Sequence, residues 1–144
     1  MNRPILIVED DPDDEMLMRR AFKKINIANP IDVVNDGEEA LHYLFRTGPF
    51  QDRTTPAPQV VLLDINLPKF DGLQVLSRIR ENEATKMQPV VMLTSSDEQE
   101  DLLRSYELAA NSYVRKPVDF DQFAQSVTNI GLFWMLVNNP PPEG

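Results

Sequence analysis

The chain contains no cysteine. A disulfide framework, a thiolate zinc site and a cysteine nucleophile are therefore all excluded. It has one histidine, His42, so a multi-histidine metal site is excluded as well. Basic residues are few: 14 Lys and Arg stand against 23 Asp and Glu, a net charge of −9. That balance disfavours a nucleic-acid surface. The longest apolar stretch, Leu132 to Val137, is far too short to cross a bilayer. Near the start, one arginine and a very short apolar run lead into acids, which is not a signal peptide. No Walker A loop or G-x-G-x-x-G turn is present, so nucleotide binding has no support. The expectation is a cytoplasmic protein with no membrane and no direct nucleic-acid partner.

What is present is a series of short apolar runs, each ended by polar residues. Ile5-Leu6-Ile7-Val8 stops at Glu9-Asp10-Asp11. Val60-Val61-Leu62-Leu63 stops at Asp64, and Val90-Val91-Met92-Leu93 at Thr94-Ser95. Tyr113-Val114 runs into Arg115-Lys116-Pro117. With Ile31 to Val34, this makes five strands. Amphipathic segments alternate with them, the βαβ pattern. Asp11-Pro12 reads as a cap and first helical residue, followed by Leu17, Ala21, Phe22 and Ile25 at helical spacing. Asp36 and Glu39 have capping-box spacing and precede Ala40, Leu41, Leu44 and Phe45. Asp71-Gly72 opens a third helix, Ser95 or Ser96 a fourth, and Asp119 with Gln122 a fifth. Residues 48 to 58 form a proline-rich polar loop.

The expected fold class is α/β, a flavodoxin-like, doubly wound parallel sheet of five strands with five helices. Its strand order, 2-1-3-4-5, brings strands 1, 3, 4 and 5 side by side. Ligands of such sheets bind at the carboxyl ends of the strands. Carboxylates, a hydroxyl and an ammonium would then meet in one crevice, a collection that suits a divalent metal plus a phosphoryl group.

Glu9, Asp10 and Asp64 are the candidate magnesium ligands, because magnesium prefers oxygen donors and often takes one or two carboxylates. For Asp11 a helix cap is the better reading. Asp64 is either an aspartyl-phosphate nucleophile or a third metal ligand, and its chemistry alone leaves both open. Lys116 is the candidate phosphate partner, with a solvated strand-end lysine as the ordinary alternative. The Lys116-Pro117 bond can be cis or trans. Thr94 offers a hydroxyl to a phosphoryl oxygen, while Ser95 and Ser96 suffice for capping. Pattern alone makes Tyr113 a core residue and His42 structural or exposed.

These residues, in this order, resemble the receiver domain of two-component response regulators (the CheY-like fold) from about residue 4 to 126. The resemblance rests on Glu9-Asp10, Leu63-Asp64-Ile65-Asn66-Leu67-Pro68 with Asp71-Gly72, Thr94-Ser95 and Lys116-Pro117. It implies that Asp64 is the phosphoacceptor and that Asp10 binds Mg2+ directly. It further implies a metal ligand in the backbone carbonyl of Asn66, with Glu9 acting through water. Thr94 and Lys116 would contact the phosphoryl group. Tyr113 matches the aromatic switch position, whose ring moves inward as the threonine shifts toward phosphate. This chain departs from the family in carrying Glu9 where Asp is commoner and in its longer 48–58 loop. Ser96 stands at a position that tunes dephosphorylation in the family.

The C-terminal stripe Phe120, Phe123, Val127, Ile130, Trp134 and Val137 fits a docked helix. Leu132, Phe133, Met135 and Leu136 are apolar but fall off that stripe. A homodimer interface at Phe133, Trp134, Met135 and Leu136 is the expectation. The tail, the longer loop and Ser105-Tyr106-Glu107-Leu108 resemble single-domain response regulators that serve phytochrome-type sensor histidine kinases. Residues 1–144 are thus expected to form one receiver domain, with 127–144 as an extended helix and proline-rich tail. Its chemistry would be its own phosphoryl transfer and dephosphorylation, not turnover of an outside substrate. The alternatives are a relay intermediate or phosphate sink, a magnesium-dependent phosphohydrolase, and an unphosphorylated binding module. The phosphohydrolase class usually carries a second Asp where this chain has Asn66.

Overall fold

A computed structural model describes residues 3–24, 26–104, 110–118 and 120–129. Strands β1 (Ile5–Val8), β2 (Ile31–Val34), β3 (Val60–Asp64), β4 (Val90–Thr94) and β5 (Ser112–Arg115) alternate with five helices. These are α1 (Pro12–Lys24), α2 (Gly37–Phe45), α3 (Gly72–Glu81), α4 (Asp97–Arg104) and α5 (Phe120–Asn129). All strand pairs are parallel, in the order β2-β1-β3-β4-β5. This is the flavodoxin-like strand order that the alternating apolar runs imply.

The three inner strands, β1, β3 and β4, are apolar up to their last residues because both of their faces are covered. Successive side chains alternate between the two faces. Leu6, Val8, Val61, Leu63, Val90 and Met92 pack against α2 and α3 through Ala40, Leu44, Val75, Leu76 and Ile79. Ile5, Ile7, Val60, Leu62, Val91 and Leu93 face Met18 and Phe22 of α1 and Phe123 of α5. The Phe22 and Phe123 rings meet edge to face at 4.7 Å. The buried stripe of α1 is thus Met18 and Phe22, whereas Leu17 is 41% exposed. Leu17 and Met18 are adjacent apolar residues, and only the direction of the sheet decides between them.

Local signals set the helix starts. Asp13 N donates to Asp11 Oδ1 at 2.9 Å, so Asp11 caps α1 with Pro12 as its first residue. Asp36 Oδ1 accepts from Glu39 N at 2.7 Å, but the Glu39 carboxylate reaches back to Asn35 N, not Asp36 N. Asp71 and Gln74 form a complete capping box on α3. Ser96 Oγ accepts from Gln99 N at 3.3 Å, so Ser96, not Ser95, caps α4.

The 48–58 loop folds back on α2. Its first residues form a 3-10 turn, Gly48–Phe50. The Arg53 guanidinium lies 4.2 Å from the Tyr43 ring centroid, and its Nε donates to Tyr43 O. The Lys116–Pro117 peptide is cis. The expected cap at Asp119, the 105–108 segment and the apolar tail with Phe133, Trp134, Met135 and Leu136 lie outside the described residues.

Candidate functional site

Four of the five strands, β1, β3, β4 and β5, deliver chemical groups to the same end of the sheet. Glu9 and Asp10 follow β1, Asp64 ends β3, Thr94 ends β4 and Lys116 follows β5. Register aligns them: Val8 pairs Leu63, Asp64 pairs Leu93, and Thr94 pairs Arg115. Glu9 and Thr94 are 0% exposed and Asp64 is 3% exposed, while Asp10 is open to solvent.

Asp64 is held at both oxygens. Its Oδ1 accepts from Asn66 N at 3.0 Å, and its Oδ2 accepts from Lys116 Nζ at 2.8 Å. Close packing behind it is enforced by Gly72. A Cβ there would lie 2.2 Å from Asp64 O and 2.7 Å from Ile65 Cα, both backbone atoms. Glycine lets the start of α3 rest directly on the end of β3.

Glu9 is oriented by its own backbone and by its neighbours. Glu9 N donates to Val34 O, Asn35 Nδ2 donates to Glu9 O, and Glu9 Oε1 accepts from Asp11 N. Its other oxygen, Oε2, is buried and accepts no hydrogen bond among the described residues, although Lys116 Nζ lies 3.0 Å away. The lysine therefore offers charge without alignment. Burial pushes the Glu9 carboxyl up to about 7; Lys116 opposes that rise and the nearby Asp64 adds to it.

Lys116 is surrounded by acids. Its Nζ lies 2.7 Å from Asp14 Oδ2, 2.8 Å from Asp64 Oδ2 and 3.0 Å from Glu9 Oε2. Burial alone would lower its pKa, but the surrounding carboxylates of Asp14, Asp64 and Glu9 outweigh burial and raise it above the usual lysine range. The ammonium stays charged at any working pH.

Oxygens of Glu9, Asp10 and Asp64 lie within 4.8 Å of one another. Oxygen ligands about 2.1 Å from one magnesium ion sit roughly 3–4 Å apart, so little closure would be needed. The buried Glu9 Oε2 is an acceptor with no aligned donor among the described residues. An all-carboxylate set of this kind fits a hard divalent cation.

Thr94 Oγ1 is fully buried without a hydrogen-bond partner among the described residues, while Thr94 O accepts from Lys116 N at 2.6 Å. Tyr113 is 37% exposed, so the core reading drawn from pattern alone does not hold. On an edge strand one face meets a helix and the other opens outward. Tyr113 lines a groove of about 620 Å³ with Glu100, Arg115, Asp121 and Gln125, between α4, β5 and α5. His42 pairs with Thr47 Oγ1 at 2.8 Å, the structural role expected of it. The residue that sequence reasoning missed is Asp14. An acid in the first turn of a helix already has an explanation in the helix dipole, which masks a second role.

A family model for the response regulator receiver domain matches residues 5–128. The chain belongs to the response regulator receiver family. FilR2 of Methanothrix harundinacea, a probable methanogenesis regulatory protein, is 40% identical over 95% of this chain and 86% of its own. The response regulator Rcp1 of Synechocystis is 37% identical over 91% of this chain and 88% of its own. The solved bacteriophytochrome response regulator AtBRR is 49% identical with a TM-score of 0.90, over 96% of this chain and 99% of that one. Rcp1 has also been solved with Mn2+ bound; it superposes with a TM-score of 0.73 at 35% identity, over 97% and 99% of the two chains. Receiver membership implies phosphorylation of an aspartate and binding of a divalent metal. It favours the phosphoacceptor reading over the phosphohydrolase. Among the described residues no helix is long and apolar enough to cross a membrane.

Proposed function

We propose that this receiver takes a phosphoryl group from the phosphohistidine of a sensor histidine kinase onto Asp64. The observation that carries this is the position of Asp64. It is buried at the end of β3, 2.8 Å from Lys116 and beside the acids Glu9 and Asp10. The phosphorus–nitrogen bond to the kinase histidine breaks as a phosphorus–oxygen bond to Asp64 forms. Asp10, Asp64 and the carbonyl of Asn66 would hold Mg2+, with Glu9 acting through water. A bound Mg2+ neutralises charge on the transferring phosphoryl oxygens. Lys116 leaves Asp64 for a phosphoryl oxygen, and Thr94 gives its unbonded hydroxyl to another. Tyr113, now outward, turns into the space that Thr94 vacates, and the α4–β5–α5 groove changes shape. The output is a change in protein contact.

The partner we propose is a phytochrome-type kinase, on the strength of 49% identity to a bacteriophytochrome response regulator. We assign the protein to the cytoplasm, where such kinases present their phosphohistidine. Its apolar residues Phe133, Trp134, Met135 and Leu136 would join two copies as a homodimer.

Intact mass after incubation with magnesium and acetyl phosphate tests the acceptor. One phosphoryl adduct is expected on the wild type, with none on Asp64→Asn and none in EDTA. Absence of an adduct from acetyl phosphate and from phytochrome-type kinases alike would sink the proposal.

A further inference from the structure

Lys116 has one carboxylate more than the phosphoacceptor reading requires. Its ammonium lies closer to Asp14, at 2.7 Å, than to Asp64 at 2.8 Å or Glu9 at 3.0 Å. Asp14 is not one of the three acids whose oxygens could share a cation among the described residues. It stands in the first turn of α1, and that turn is pinned. Asp11 Oδ1 accepts from Asp13 N, and Glu9 Oε1 accepts from Asp11 N. Asp14 is thereby fixed relative to Glu9. On the same helix, Asp14, Leu17 and Met18 line a small space together with Lys116, Pro117 and Val118. The Lys116 and Asp14 side chains are 13% and 27% exposed, so the pair is better shielded than a surface bridge. The helix dipole explains an acid in this turn, but not a lysine drawn to it from β5.

We propose that Asp14 is a positioning residue for Lys116, holding the ammonium on the α1 side of the crevice so that Asp64 shares it. This rests on the reading of Asp64 as phosphoacceptor. An ammonium locked on Asp64 withdraws charge from the attacking oxygen and has to move before the new phosphorus–oxygen bond forms. A shared ammonium, with three donors on a rotatable head, keeps one hold on α1 while another donor follows the phosphoryl oxygens.

Two measurements on the full chain test it. The first is the 15N signal of the Lys116 ammonium in metal-free wild type, Asp14→Asn and Asp14→Glu. The second is the rate of phosphorylation by acetyl phosphate in Asp14→Asn, Lys116→Ala and the double variant. In this reaction acetate leaves as Asp64 bonds to phosphorus. The ammonium signal should shift in Asp14→Asn and return toward wild type in Asp14→Glu. The rate should fall roughly three- to tenfold in Asp14→Asn and by no further factor when Lys116 is already alanine. An unmoved ammonium signal, or an equal loss in both backgrounds, overturns the proposal. If wild type accepts no phosphoryl group from any donor, the acceptor reading fails by itself. The ammonium signal then decides the Asp14 contact alone: a shift supports it and no shift removes it.

Discussion

Thr94 carries a buried hydroxyl with no hydrogen-bond partner among the described residues. An unsatisfied buried group costs about 1–3 kcal/mol, and replacing it by an apolar group of the same shape recovers part of that. Thr94→Val should therefore stabilise the unphosphorylated protein by about 1 kcal/mol in urea unfolding. The advantage should vanish with magnesium and acetyl phosphate present, when the wild-type hydroxyl gains an acceptor. Equal stability of the two proteins in both conditions would show that Thr94 has no waiting role. Glu9, Asp10, Asp64, Thr94 and Lys116 were legible in the sequence for one reason. Each ends an apolar run or lies within two residues of one, and a parallel sheet gathers such positions at the carboxyl ends of its strands. Asp14 and Tyr113 lacked that marker. Asp14 lies inside a helix, where its contact with Lys116 depends on how α1 docks. Tyr113 sits mid-strand, and pattern cannot say that its face of the edge strand is open.

Among the elements, the contact of α3 with β3 is the tightest constraint on the site. A Cβ on Gly72 would lie 2.2 Å from Asp64 O, and neither that backbone nor the capped start of α3 yields easily. Gly72→Ala should cost about 1–3 kcal/mol and slow phosphorylation, because relief of the clash moves Asp64 itself. Thermal unfolding and adduct rate together check this; a full rate in a destabilised variant would detach α3 from the positioning of Asp64. Strand bounds and helix caps were largely readable, since apolar runs and Asp, Ser and Pro signals are local. The 3-10 turn of the long loop and its anchor, Arg53 on Tyr43, were not. Both depend on a side chain meeting a helix that its own sequence neighbours do not include. The face of α1 was misjudged for a related reason, since Leu17 and Met18 satisfy the helical period equally well.

At the scale of the whole molecule, the strand order followed from alternation, apolar runs and the carboxyl-end rule. The assembly did not, because it turns on residues past Asn129. The apolar residues Phe133, Trp134, Met135 and Leu136 of the expected interface should draw two copies together. Light scattering should report a dimer for wild type and a monomer for Trp134→Ala; a wild-type monomer at high micromolar concentration removes the interface.

Charge is the other global property, and the site concentrates it. The Glu9 carboxyl titrates near 4.5 when free and is pushed up to about 7 in the fold, chiefly by burial. Between those values the folded protein holds more protons than the unfolded chain. Its contribution to stability therefore falls as pH rises from about 4.5 to about 7, and the full penalty stands above that. The difference corresponds to at most about 3 kcal/mol. In EDTA, Glu9→Gln should resist urea better than wild type at pH 8, and the two should converge toward pH 5. Comparing the pair cancels the titration of the other acids. Magnesium should close most of that gap at pH 8, because a cation bound only by the folded state adds about 2.7 kcal/mol at a hundred times its dissociation constant. Should wild type unfold at the higher urea concentration in EDTA at pH 8, Glu9 is not the strained acid of the crevice. In that case the metal is drawn by Asp10 and Asp64 alone.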